Sequence, residues 1–343
     1  MLNSVSTSTL FAGPRNAVTD LQTKVAKVGT ELTTGVLADP VQSLGSQTGL
    51  LESLQSQATS LTNMQSSNAM AGTTLTVSQN VLSSVSSDAQ TFLNSLISAQ
   101  NTGDVSTLAT QAKSLLDSFT SDMNTASAGA YVFGGTNSSV APMANYSGAP
   151  QTATAAAFQT AFGFPQSSSQ ASSISSSSMQ QFLSGGFSDL FADPAWSTNW
   201  SQASGTGTSA VISPGQSVAT TVSANGDAFR QLASAYTSIA DLGITNLNSS
   251  SQQTVLASAL KQVSSAMQGI SDAQTTLGLS QSQLTNANSA LKTQASTVNN
   301  MVGQLDNVDA YQADTALTGL TTQLETAYSL TNQLSKLSLV NYL

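Results

Sequence analysis

The stretch that decides the fold is LASALKQVSSAMQGISDAQTTLGLSQSQLTNANSALKTQASTVNNMVGQL, residues 256–305. Leu256, Val263, Ile270, Leu277, Leu284, Leu291, Val298 and Leu305 recur in it at a strict seven-residue spacing. An α-helix turns once in about 3.6 residues, so this repeat holds one narrow apolar stripe toward a partner. Leu260, Ala266, Met267, Ala273, Ala287, Ala295, Met301 and Val302 widen the stripe. No proline follows Pro214, so nothing breaks the run. At about 1.5 Å per residue it predicts a helix of roughly 75 Å. A helix that long cannot bury its stripe against itself. Its expected partners are the helices at the other end of the chain.

Those helices announce themselves by spacing. Val18, Leu21, Val25, Val28 and Leu32 mark one helical face, closed by Gly35 and Pro40. A second run starts near Val41–Gln47 and carries Leu51, Leu54, Ala58, Leu61, Met64, Leu75, Leu82, Val85, Ala89, Phe92 and Leu96. Gly72 weakens it by about 1 kcal/mol relative to Ala without ending it. Asn101 to Asp104 reads as a turn, followed by a helix with Leu108, Ala112, Leu115, Phe119, Met123 and Ala130 on one side. After the long stripe, Gly303, Asp306, Asn307 and Asp309 interrupt the pattern. A last helix then bears Ala313, Leu317, Leu320, Leu324, Ala327, Leu334 and Leu337.

The texture of the centre differs. Five of the seven prolines lie between Pro142 and Pro214, with most of the aromatics. The Ser-rich tract Ser167–Ser178 reads as a loop by composition. Val211-Ile212 and Gln216–Ala224 flank Pro214-Gly215 as a hairpin. Asp227 is placed to cap a helix bearing Phe229, Leu232, Tyr236 and Ile239. The expected fold is mainly α: a long antiparallel, coiled-coil helical bundle formed by both chain ends, with a small α+β domain inserted in the middle. The expected division is 1–40 and 303–343 as terminal assembly helices, 41–136 and 244–302 as a long helical rod, and 137–243 as an inserted outer domain, partly β.

Composition narrows the function classes. Only 7% of residues are charged while 39% are hydrophobic, and Ser, Thr, Gln and Asn fill the surface instead. So little charge repels neighbouring copies weakly, which suits self-association. The net charge of −9, with eight Lys and Arg in all, argues against nucleic acid. The chain has no cysteine and no histidine, so disulfides, the usual zinc sites and His- or Cys-based nucleophile pairs are excluded. Residues 1–13 lack the basic and apolar regions of a secretory signal and are expected to be disordered alone. No stretch has the length of a membrane span. Two localisations fit: the cytoplasm, or export by a route that reads an uncleaved amino terminus.

No arrangement supports catalysis, and no cofactor or metal site is expected. Asp306 and Asp309 would share a helical face at i and i+3, but a solvated or capping role outweighs a metal or catalytic one. Phe182, Phe187, Phe191, Trp196 and Trp200 suit a sugar-binding groove less well than the core of the middle domain. Gly134-Gly135 lacks the lysine of a phosphate loop. Asn137-Ser-Ser and Asn145-Tyr-Ser match the N-glycosylation pattern and carry little weight.

Four motifs together resemble the bacterial flagellin superfamily, and within it the branch that joins hook to filament. They are Glu31-Leu-Thr-Thr-Gly35 with Asp39-Pro40-Val41, Ala130-Tyr-Val-Phe-Gly-Gly-Thr136 with Pro142, Gln304-Leu-Asp306-Asn-Val-Asp309, and the ending Leu337-Ser-Leu-Val-Asn-Tyr-Leu343. The resemblance covers roughly 1–136 and 210–343. The first turn departs from the family in lacking its basic residue and paired acids, and the acidic break is looser than usual. The resemblance implies an exported structural subunit of the extracellular flagellum, not cleaved on export, whose terminal helices form an inner coiled-coil tube. It implies partners among copies of itself, hook-associated proteins and flagellin, with an export chaperone, and neither nucleic acid nor membrane insertion. The assembly interface is then expected at Val18, Leu21, Val25, Val28, Leu32, Leu317, Leu320, Leu324, Leu334, Leu337, Leu339, Val340, Tyr342 and Leu343. A filament-forming flagellin, another secreted helical adhesin or needle-type protein, and an enzyme or carbohydrate-binding module built on the middle domain are the alternatives.

Overall fold

The computed structural model describes residues 7–340, with the side chains of 12–334 and of Lys336. In chain order the elements are α1 (Thr7–Thr34), α2 (Pro40–Leu44), α3 (Thr48–Thr102), α4 (Ser106–Met123), β1 (Ala126–Ser127), β2 (Ala130–Tyr131), α5 (Ala149–Phe162), α6 (Ser176–Ser184), α7 (Ala195–Asn199), β3 (Ser209–Ser213), β4 (Gln216–Ala219), α8 (Asp227–Asp241), α9 (Ser249–Asp306) and α10 (Ala310–Val340). Helix dominates, and the strands form two separate antiparallel pairs, β1 with β2 and β3 with β4. The chain divides into two compact units. One holds the residues up to Asn63 and those from Lys292 onward, the other Met64–Leu291.

The larger unit contains most of the seven-residue stripe. Leu256, Val263, Ile270, Leu277, Leu284 and Leu291 are all buried on α9. On α3 they are matched by buried Leu75, Leu82, Val85, Ala89, Phe92 and Leu96. The helix runs through Gly72 unbroken, and a Cβ there would lie 3.3 Å from Leu284 Cδ2. Each large apolar side chain buried in this way contributes about 1.5–3 kcal/mol.

α4 packs on α8. Leu116 is fully buried in the core beside Leu108, Ala112, Phe119 and Met123, and Leu115 packs against that core partly buried. The helix ends at Met123, so Ala130 lies in β2 rather than on its face. Tyr236 of α8 meets Phe92 edge-on at 4.9 Å. Phe182, Phe187, Phe191, Trp196 and Trp200 form the connected core expected of the middle region, with the two indoles stacked at 5.5 Å. Asp227 is the first residue of α8, and Gly226 occupies the capping position. The hairpin around Gly215 (φ +78°) forms where the Pro-Gly pair predicts it.

The Ser-rich tract is not a loop. Ser169–Ser173 is a 3-10 turn and Ser176 begins α6. The serines act as caps: Ser168 Oγ accepts from Gln170 N at 3.2 Å, and Ser175 Oγ from Ser178 N at 3.1 Å. Ala171 and Ile174 between them are buried. The Ile174 carbonyl accepts from Asn248 Nδ2 at 2.6 Å and Ser251 Oγ at 2.7 Å. Low complexity misleads here because serine favours turns and helix starts by bonding the backbone locally.

Candidate assembly surface

In the smaller unit α1 lies against α10. They run antiparallel: Val36, just past the end of α1, bridges Asn307, just before α10, while farther along Gln22 Nε2 donates to Tyr328 Oη. The junction is built by the two motifs singled out in the sequence. Gly35 sits at φ +74°, where a side chain is strained, and its amide closes α1 on Glu31 O at 2.9 Å. Leu37 N donates to Asp306 O at 2.9 Å and Val308 N to Gly35 O at 3.0 Å. Glu31 Oε1 accepts from Ala38 N at 3.3 Å. Asp39 Oδ1 accepts from Gln42 N at 3.0 Å, with Pro40 at the first helical position of α2. Gly45 (φ +54°) then ends α2, so the predicted run from Val41 is broken before α3 begins.

Asp306 and Asp309 do not share a helical face, because the helix stops between them. Asp309 caps α10, accepting from Tyr311 N at 2.9 Å. Asp306 closes α9 and is buried rather than solvated. Among the described residues no group of three or more acidic side chains is arranged to hold a metal ion.

The predicted interface residues are described in part. Val18, Leu21, Val25, Val28 and Leu32 of α1 are half-buried, as are Leu317, Leu320, Leu324 and Leu334 of α10. Two helices facing each other cover only part of an apolar stripe. The side chains of Leu337, Leu339 and Val340, and Tyr342 and Leu343 altogether, lie outside the described residues. Sequence reasoning missed a second set. Val41, Leu50, Tyr311, Tyr328 and Leu330 are apolar and exposed in the same unit, Tyr311 at 82%. Leu330 falls off the 317-320-324-327-334 register, which is the signal that could have marked it.

Comparison with known proteins follows this architecture. Residues 5–138 match the bacterial flagellin N-terminal helical region, and residues 260–343 match the bacterial flagellin C-terminal helical region. Together these matches take in α1 to β2 at one end, and most of α9 with α10 at the other. The chain belongs to the flagellin superfamily. It is a structural subunit of the bacterial flagellum. Among the solved structures similar to it is a chain assigned as a flagellar hook-associated protein of Vibrio parahaemolyticus. That structure shares 18% identity and a TM-score of 0.52, over 78% of this chain and 98% of the other. At that identity the likeness establishes a shared fold. No curated protein gives a significant sequence match. The flagellin superfamily is structural rather than enzymatic, its members assemble with one another, and the flagellum they build is extracellular. No helix of this flagellar subunit, among the described residues, is long and apolar enough to cross a membrane.

Proposed function

We propose that this flagellar subunit stands between hook and filament and adapts one lattice to the other. The observation that carries the reading is the half-buried α1–α10 seam. Each large apolar side chain it finishes burying against a neighbour adds up to about 1.5–3 kcal/mol. Association costs about 4–15 kcal/mol in lost freedom, so a seam of this size is of the order needed to hold a subunit in place. Residues 1–40 and 303–343 do the assembling, 41–136 and 244–302 supply the long helices, and 137–243 is the insertion. Its partners are copies of itself, hook-associated proteins and flagellin, with an export chaperone before assembly. It leaves the cell uncleaved and carries no catalytic activity.

The motifs around Tyr131 and Asp306 and the fold shared with the Vibrio hook-associated protein support the junction role. The second reading, a flagellin, rests on the two family matches. Immunogold labelling of isolated flagella separates them. Label confined to a thin zone at the base of the filament is expected, and label along the whole filament overturns the junction reading.

A further inference from the structure

Between α3 and the two strand pairs of the larger unit lies an open cleft of about 260 Å³. Every residue that lines it is uncharged. Ala71 and Val132, both buried, give it an apolar floor, and Met70 stands exposed at its rim. One wall is held rigidly. Thr220 and Thr221 are buried there, and Thr208 Oγ1 lies 3.0 and 2.9 Å from their hydroxyl oxygens. Thr208 N donates to Thr221 Oγ1 at 2.8 Å. Gly207 permits the close approach, since a Cβ on it would fall 2.1 Å from Thr221 O.

Four other hydroxyls on the cleft are uncommitted. Ser67 of α3, Ser127 of β1, Tyr131 of β2 and Ser138 just beyond it all line the cleft. None of their side-chain oxygens bonds another group of the chain among the described residues. All four are half-buried or exposed, so water serves them in the free protein. A charged ligand would give up its hydration to walls that offer no opposite charge. A peptide strand would need a free backbone edge, and the edges here are taken. Tyr131 N donates to Ser138 O at 2.8 Å, and the Ile212 carbonyl of β3 accepts from Asn68 Nδ2 at 2.9 Å. A sugar ring matches what is left, with hydroxyls around its edge and C–H groups on its face. Small-molecule sites run to about 300–1,000 Å³, so this smaller cleft holds a single ring. We infer that the cleft binds one neutral hexose, held by the hydroxyls of Ser67, Ser127, Tyr131 and Ser138 over the apolar floor.

The test is saturation-transfer NMR on the full chain with glucose, galactose and mannose, each free and as its methyl glycoside. At least one should bind with a Kd of about 1 mM, the strength of a few net hydrogen bonds. Binding of a glycoside marks the end of a glycan chain as the ligand, and binding of free sugars alone marks a soluble hexose. Glucosamine and glucuronate should bind at least about tenfold more weakly than the best neutral sugar. Tyr131→Phe and Ser138→Ala each remove one hydroxyl and should weaken binding about three- to tenfold. Ser67→Phe, at an exposed position of α3, should block the cleft and leave the melting temperature unchanged. No saturation transfer from any of these sugars at about ten times that Kd overturns the proposal. Binding that survives all three substitutions overturns it too, as does equal binding of the charged sugars. Tighter binding of an uncharged peptide mimic, N-acetylalanine methylamide, would assign the cleft to a peptide and end the proposal.

Discussion

Val36 and Asn307 pair in an isolated antiparallel bridge that joins the two ends of the chain. The bridge works because Gly35 turns out of α1 at φ +74°, aiming its carbonyl at Val308 N and the Leu37 amide at Asp306 O. Nothing lies within 4 Å of a Cβ added at Gly35, so substitution there tests the backbone alone. Gly35→Ala should cost about 1–2 kcal/mol, the penalty of a left-handed residue. The loss should appear as faster hydrogen exchange at Leu37 and Val308. Gly29, inside α1 and equally uncrowded, is the control. Gly29→Ala should stabilise by up to about 1 kcal/mol.

The Ser-rich tract provides the second prediction. Asn248 caps α9, accepting from Ser251 N at 3.0 Å while donating to the carbonyls of Ser172 and Ile174. Asn248→Ala removes all three bonds and should cost about 2 kcal/mol in the denaturation midpoint of the larger unit. Deleting Ser167–Ser178 should destabilise the unit further, since Ala171 and Ile174 leave the core. An unchanged midpoint in both variants would return the tract to the status of a free loop.

The long elements were legible in the sequence because their signal is periodic and their burial follows it: six of the heptad positions from Leu256 to Leu291 are buried. Gly35, Pro40 and Pro214-Gly215 were legible because few backbone conformations suit them. The Ser-rich tract was not, since composition reports what a segment can do locally and not what its neighbours offer. The fate of Asp306 was hidden for a related reason. Its burial depends on residues near Gly35, and no pattern within either segment encodes their meeting. The apolar positions of α1 and α10 stood out by spacing, whereas the exposure of Tyr311 became visible only once the orientation of α10 was known.

The third prediction concerns pH. Burial raises the pKa of Asp88 on α3 and of Asp122 on α4 above the ordinary value of 3.8. For Asp122 a hydrogen bond from Ser84 opposes the rise and the charge of Asp88 adds to it. Raised carboxylate values mean that the native chain binds more protons than the unfolded chain in the interval above that ordinary value. Stability then falls as pH rises through the interval and is regained on acidification. The larger unit should melt a few degrees higher near about pH 5 than near about pH 8. Asp122→Asn should raise the melting temperature at neutral pH and flatten this dependence. A melting temperature that rises steadily with pH across the same range would contradict the assignment.

The last prediction returns to the seam. Val25 is half-buried between α1 and α10, in the unit that does not contain the aromatic core. Val25→Asp forfeits part of one valine's burial, roughly 1 kcal/mol, within the smaller unit. In the free subunit the carboxylate keeps access to water, so the cost stays modest. Against a neighbouring subunit it would be stripped of water, while Lys24 pairs with Asp20 at 2.8 Å and Lys27 bonds Gln42 at 2.9 Å. Removing a lone charge from water costs far more than the lost valine contact. The variant should therefore keep the melting temperature of the larger unit and its helical signal, be exported normally, and yet fail to enter the flagellum. Thr23→Asp, at an exposed position of the same helix, adds the same charge off the seam and should assemble. The measurement pairs a melting curve with the amount of each variant recovered in sheared flagella. Equal incorporation of both variants would show that the α1–α10 seam is not an assembly surface. Equal exclusion would show that α1 rejects added charge on every face, and that the seam holds no special place.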